Sequence, residues 1–400
     1  MILALGLAGA GMQTQPMSAP SLTNGIASRP VVSLPTGTVN PEKNQGTIEP
    51  LSIKPLVAIE PGRNDANPVW SPQGNLIAFE RSIGDKKEII ITRPDGTLIQ
   101  TIYVQASELR NEMKFFFPGV YEETSYNAGI SWSPTGNRVV FMSNGGEGDY
   151  NLYMREISSA ATTTTRQLTN YKEKNGHAHW SPVSENIVFV SGRTGKGDLY
   201  ILNGATLRLT RLTTGEKPYL YPQWSPDGKK IAMIHGSNEN HDIYVITDVA
   251  KPKETLKPLT SWEWDDLRPV WSPDGTKIAF YSNVSDHKEA PMWSLLVISS
   301  DGTDSLSGPG LSAKIIARDV VPDMERGPAW MPDSARIVYV KNDRQGYNPI
   351  HLADIRDKGS SLIRTNTKMN HDISCSSDGA IAFRAQVNQW DHIFVMKLKQ

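Results

Sequence analysis

WSPDGTKIAF, residues 271–280, is one of seven copies of a phrase that recurs along the chain. The others read WSPQGNLIAF from Trp70, WSPTGNRVVF from Trp132, WSPVSENIVF from Trp180, WSPDGKKIAM from Trp224 and WMPDSARIVY from Trp330, with a copy one residue shorter, CSSDGAIAF, from Cys375. The copies start 44 to 62 residues apart. The shorter spacings match a module of four short strands, about 40–50 residues, and the two longest imply insertions of roughly 15 residues. Ser-Pro-Asp-Gly is turn chemistry: Pro pre-sets φ, Asp bonds the local backbone and Gly accepts positive φ. The residues before it therefore read as one strand and Ile-Ala-Phe as the next. A third strand carries Asn151-Leu152-Tyr153, Asp198-Leu199-Tyr200, Asp242-Ile243-Tyr244 and His392-Ile393-Phe394, and a fourth lies near Leu168, Leu212, Leu259 and Ile363, each twelve residues before the next Trp or Cys375.

Proline tells which strand is innermost. Pro68, Pro222, Pro269 and Pro328 sit two residues before their Trp, and Pro, lacking an N–H, belongs on a sheet edge. A lone four-stranded module has two apolar faces and cannot bury both; a ring of modules can. The last copy reaches Gln400 without a fourth strand, while Ile53-Lys54-Pro55-Leu56-Val57 resembles the fourth strand Leu256-Lys257-Pro258-Leu259-Thr260. The expected fold is all-β: a seven-bladed β-propeller, a six-bladed ring being the fallback, in which the N-terminal strand completes the last blade and removes exposed edges.

The 400 residues hold 41 Lys and Arg against 42 Asp and Glu, a net charge of −1, which offers no electrostatic footprint for nucleic acid or an anionic membrane. With one Cys, Cys375, neither an intrachain disulfide nor a Cys-based zinc site is available. No apolar run reaches the roughly 18–20 residues that span a bilayer. Ile2 to Gly11 has the length of a secretory apolar region, and Ala8-Gly9-Ala10 the form of a cleavage site, although no Lys or Arg precedes Arg29. Export to the periplasm or beyond is the expectation. Residues 1–50, rich in Pro, Ser and Thr, read as signal and flexible tether, and residues 51–400 as the propeller.

The WSPDG-x-x-IAF…DIY…RLT unit resembles the WD40-like propeller repeat (PD40) of the TolB-like proteins, found also in propellers of prolyl-oligopeptidase-type peptidases. The resemblance covers about residues 51–400. TolB proteins carry an α/β domain ahead of a six-bladed propeller, whereas seven copies and some fifty linker-like residues are read here. The resemblance implies a monomeric, exported scaffold that binds a protein or peptide partner, an envelope lipoprotein among the candidates.

For chemistry the chain offers little. It has no G-x-S-x-G elbow, no G-x-x-x-x-G-K-[ST] loop and no G-x-G-x-x-G between strand and helix, so no catalytic residue is assigned. Asn144 to Asp149 is glycine-rich and reads as a hairpin turn. His177-Ala178-His179 is the one metal-like spacing, since i and i+2 on a strand face one side; with His371 it makes the candidate set for a divalent cation at the channel mouth. Some seven-bladed pectin-degrading lyases resemble this arrangement, which makes a metal-dependent carbohydrate-active enzyme the alternative to the scaffold. No other cofactor is expected. Five residues before the Trp position stand Asp65, Asn127, Asn175, Tyr219, Asp266, Glu325 and Asn370; three before it stand Asn67, Gly129, His177, Tyr221, Arg268, Gly327 and Asp372. If inner strands start at one rim, these residues ring a channel mouth and form the expected ligand site. Phe115-Phe116-Phe117 and Asn283 to Asp323 are read as inserted surface, and Trp262 and Trp264 as either ligand platforms or packing between blades.

Overall fold

Each copy of the phrase folds as its turn chemistry requires. In five of them the Gly N–H donates back to the Ser carbonyl that follows the Trp position, as from Gly74 to Ser71, 2.9 Å, and from Gly275 to Ser272, 2.8 Å. The glycine is required at Gly228, where φ is +68° and a Cβ would fall 2.3 Å from Val183 of the preceding turn. Strands form on both sides of the turn.

The computed structural model describes residues 44–84, 86–103, 127–144, 150–158, 165–171, 174–236, 240–284, 292–302, 313–356 and 359–399. Among them, five separate four-stranded antiparallel sheets and one nine-stranded sheet are formed. Every sequence copy heads a four-stranded unit, here called a blade and numbered in chain order. Six first strands, Arg63–Trp70, Asn127–Trp132, Asn175–Trp180, Tyr219–Trp224, Asp266–Trp271 and Lys368–Cys375, are edge strands, as the prolines require. The first strand of blade six is only Ala329–Trp330. It pairs with Arg336–Lys341 only at Val338 and Ile337, and the rest of the place, Val340 and Lys341, is taken by Val321 and Val320 from the long last strand of blade five, Lys314–Val321. That exchange merges blades five and six into the nine-stranded sheet.

Ser52–Pro55 pairs antiparallel with Trp390–Lys397 of blade seven, flanked by bonds from Leu51 N to Lys397 O and Leu56 N to Ile393 O, both 2.8 Å. The N-terminal strand thus completes the last blade, as expected. A second strand, Asn44–Ile48, lies within the stretch read as tether; it pairs parallel with the outer strand of blade six, Gly359–Ile363. The strand character comes from a neighbour over 300 residues away, not from local patterning, which is why composition misses it. Closure is visible at side chains too: blade one reaches blade seven through Trp70 Nε1 to Ser374 O, 3.2 Å, and Asp391 N to Asn64 Oδ1, 2.9 Å.

The repeated Trp links blades. Trp132 donates to Val69 O, Trp271 to Gln223 O and Trp330 to Val270 O, at 3.1–3.2 Å, each the residue before the preceding blade's Trp. Trp180 turns its indole to Ser184 O instead and is tied to blade two by its backbone N–H on Ser131 Oγ, 2.9 Å. Cys375, in the Trp place of blade seven, is partly buried against apolar side chains, its Sγ 3.8 Å from Met331 Sδ, and desolvation pushes its thiol up to about 12. Trp262 packs edge-on to Trp264 and over Phe280 within the core between blades four and five. The Phe115 to Phe117 run, most of Asn144 to Asp149, and Asp286 to Glu289 lie outside the described residues.

Candidate functional site

Strict alternation would send the third and fifth residues before each Trp to one side. It does not hold, because six of the seven inner strands are broken by a bulge. In six blades the register slips between the fourth and first residues before the Trp position. The residue at the third place is left-handed in all seven: Asn67 (φ 53°), Gly129 (67°), His177 (51°), Tyr221 (53°), Arg268 (57°), Gly327 (81°) and Asp372 (51°). For a residue with a Cβ this costs about 1–2 kcal/mol. Bulges re-aim side chains, and here they bring the third-place residues together around the axis.

The contacts form a chain through the blades. The His177 ring meets Tyr221 edge-on at 4.1 Å, and the Arg268 guanidinium lies 3.5 Å from the Tyr221 ring centre, a cation–π contact. Arg268 Nη2 is 3.9 Å from Glu325 Oε2. Asp372 pairs with Arg384 at 2.7 Å and accepts the Asn67 N–H at 3.2 Å. Asn67 Nδ2 donates to Glu80 Oε2, 3.1 Å, and Glu80 Oε1 accepts the Gly129 N–H, 3.3 Å. Arg326 spans the axis from blade six, its guanidinium donating to Asn67 O of blade one, 3.0 Å, and Ile130 O of blade two, 3.4 Å.

The fifth-place residues divide. Asp65 is fully buried against Arg81 Nε and Nη2, 2.7 and 2.8 Å. Asn175 is buried, bonded to Ser191 and Asn151; Tyr219 stacks on His235 at 4.0 Å; Asn370 donates to Tyr347 O and Asn348 O. Asp266 is fully buried beside Ser282, Thr260 and Trp262, and burial pushes its carboxyl up to about 8, with Asp242 adding to the rise. The side chain of Asn127 lies outside the described residues. The expectation that this set rings an open mouth is therefore corrected for these positions: they are polar because they join strands inside and between blades. Glu325 alone of the set joins the channel group. Asp323 Oδ1 caps a turn by accepting the N–H of Glu325 and Arg326, both 2.9 Å, so Glu325 stands on that turn rather than in a strand.

Four members escaped the sequence reading: Glu80, Asp323, Arg326 and Arg384. For two a signal existed. Glu80 follows Phe79 and Arg384 follows Phe383, whereas the same place holds Met142, Val190, Ile234, Tyr281 and Val340 in the other copies. A charge in an otherwise apolar column of the repeat marks the channel wall.

The three histidines do not act together. His177 faces Tyr221, and burial and Arg268 hold it well below its usual range. His179 Nδ1 accepts the Trp224 N–H at 3.3 Å, and burial lowers it to about 4. His371 Nε2 is 3.2 Å from Asn348 Nδ2. The bulge breaks the i, i+2 relation on which convergence of His177 and His179 depended. Among the described residues no group of three or more His, Cys, Asp or Glu is arranged to hold a metal ion.

Electrostatically the channel gathers four carboxyls, Glu80, Asp323, Glu325 and Asp372, and three guanidinium groups, Arg268, Arg326 and Arg384. Burial raises Asp323 to about 7, with the Asp372 charge adding to it; burial also raises Glu325 to about 7, partly opposed by Arg268. A carboxyl raised on folding stays protonated while the unfolded chain ionises, so stability falls as pH rises from about 4.5 through 7. Thermal denaturation should show Glu325→Gln gaining on the native protein across that window and matching it below pH 4. The gain is modest, because about a third of the Glu325 side chain is exposed.

Residues 119–315 match the family model described as the TolB beta propeller domain, PD40. Within that stretch, just under half of the chain, the repeats are similar to PD40 repeats. The PD40 phrase continues outside the match at Trp70, Trp330 and Cys375. No curated protein matches the chain. Of solved structures, TolB from Acinetobacter baumannii is similar at 16% identity over 85% of this chain and 64% of that one, TM-score 0.47. This chain thus spans less than two thirds of that TolB. An oligogalacturonate lyase in complex with manganese is similar at 12% identity over 88% of this chain and 95% of that one, TM-score 0.61. A puromycin-hydrolyzing peptidase of Mycobacterium tuberculosis is similar at 12% identity over 83% and 52%, TM-score 0.58. The last two likenesses show a shared propeller fold and nothing of activity. Among the described residues no helix is long and apolar enough to cross a membrane.

Proposed function

We propose that this PD40 protein is an exported, non-enzymatic scaffold that binds a protein or cell-envelope ligand over the channel mouth at which the inner strands begin. The observation that carries the reading is the linked polar and charged network that inner strands, two second strands and the Asp323–Arg326 turn together contribute around the channel. Held by strands and by a capped turn, it presents polar groups already in place, so binding costs little ordering entropy. Glu325, on its turn and partly exposed, is the member a partner reaches first. Export rests on the resemblance and on residues 2–11. The metal-lyase reading gains no observation in its favour, since His177, His179 and His371 turn to three separate partners.

The test is crosslinking capture from native cells with the full chain and with Glu325→Lys, after circular dichroism has shown the variant folded. Loss of the captured partner supports the mouth; unchanged capture discards it.

A further inference from the structure

The ring of third-place residues has a gap. Asn67, His177, Tyr221, Arg268 and Asp372 each meet a neighbour through the contacts given above. Gly327 is packed as well, since a Cβ there would fall 2.8 Å from Arg268 O. Gly129, in blade two, has the same left-handed backbone, φ +67°, yet no described atom lies within 4 Å of where a Cβ would stand. It is partly exposed between buried Ala128 and Ile130. In the order of the blades, room one side chain wide therefore opens between Asn67 and His177.

The groups around this opening are short of positive charge. Gly129 N donates to Glu80 Oε1 at 3.3 Å. Arg326 donates to the carbonyls of Ile130 and Asn67, which leaves its charge shared among Glu80, Asp323, Glu325 and Asp372. Arg384 is shared too, 2.7 Å from Asp372 and 3.0 Å from Asp391, and Arg268 stands 3.9 Å from Glu325. The four channel carboxyls and Asp391 thus make five against three guanidinium groups. Asp323 Oδ2 is buried with no hydrogen-bond partner among the described residues. The charges of Glu80 and Asp372 both oppose ionisation of Glu325. A group bringing positive charge and N–H donors relieves this repulsion, and an added anion worsens it.

Resting on the mouth reading above, we infer that the opening at Gly129 is a slot for one basic side chain of the partner protein, a lysine or an arginine, whose cation is received by Glu80 and Glu325.

The probes are Nα-acetyl-lysine amide and Nα-acetyl-arginine amide. Nε-acetylated lysine and citrulline derivatives are the neutral counterparts, and Nα-acetyl-glutamate amide is the anionic one. NMR titration of the full chain at constant ionic strength shows saturable binding of a basic probe, with its neutral counterpart weaker by about tenfold or more. Binding tightens by up to about tenfold between about pH 6 and 8, because the Glu325 carboxyl, among Arg268, Arg326, Glu80 and Asp372, ionises over that range. Gly129→Asn fills the slot with the residue that Asn67 already places at the same left-handed position, and it abolishes binding. Glu325→Gln leaves the slot open, weakens the basic probe about tenfold and flattens the pH dependence, so it reads the site even if Gly129→Asn does not fold. No saturable binding, equal binding of the neutral counterparts, a preference for the glutamate probe, or full affinity in folded Gly129→Asn overturns the slot. Partner capture separates the slot from the scaffold. A partner lost with Glu325→Lys but kept with Gly129→Asn overturns the slot and leaves the mouth. Basic probes bound by a chain that captures no partner sustain the slot and discard the scaffold.

Discussion

A chain beginning at Ala58 should lose cooperative unfolding, and a synthetic peptide of residues 44–57 added in trans should restore it. The truncation removes Ser52–Pro55 from Trp390–Lys397 and Asn44–Ile48 from Gly359–Ile363. Each backbone hydrogen bond lost contributes about 0.5–1.5 kcal/mol net. Leu56, 2% exposed in the core between blades seven and one, contributes about 2–3 kcal/mol more. Against the 5–15 kcal/mol typical of a domain, this is a large share. The ring also loses the contact that makes it a ring, since blade seven is left with an open edge that invites association. Circular dichroism against temperature and light scattering follow both consequences. Truncated protein that melts as the full chain does would mean that the seam is held by side-chain contacts alone.

Trp271→Ala should destabilise by about 3–5 kcal/mol, the cost of emptying a large aromatic site in a core. Trp271 is 6% exposed, packs with the largest core cluster and donates to Gln223 O at 3.1 Å across the blade interface. Trp271→Phe separates the two contributions: it keeps most of the apolar contact and loses the hydrogen bond, for about 1 kcal/mol from that bond plus the smaller volume. Urea denaturation measures both, with the midpoint shift carrying the difference. The same pair at Trp180 should show a smaller hydrogen-bond component between blades, because that indole donates within its own turn, to Ser184 O.

The strand order, the position of the edge strand and the closing segment were all readable in the chain, because each depends on a local rule: a turn tetrapeptide, a proline without an N–H, a fourth-strand phrase found at the wrong end. The site was legible only in part. The third-place residues were picked out, and contacts link them from blade to blade. The fifth-place residues were picked out for the same polarity and serve the blade interior instead. Polarity by itself does not say which way a side chain points, and a bulge at a left-handed residue reverses the answer within two positions. Arg326 was invisible for another reason. Its partners, Asn67 and Ile130, lie 259 and 196 residues away, and its own copy departs from the repeat.

By itself, then, the sequence determined that this protein is a ring of repeated four-stranded sheets fastened by its N-terminal segment, because periodic turns and apolar strands leave no other way to bury both faces of every sheet. Only the tertiary structure decided which polar residues face the channel and which are locked between blades. Those outcomes depend on side chains from different copies meeting across the ring, and no distance along the chain encodes that meeting.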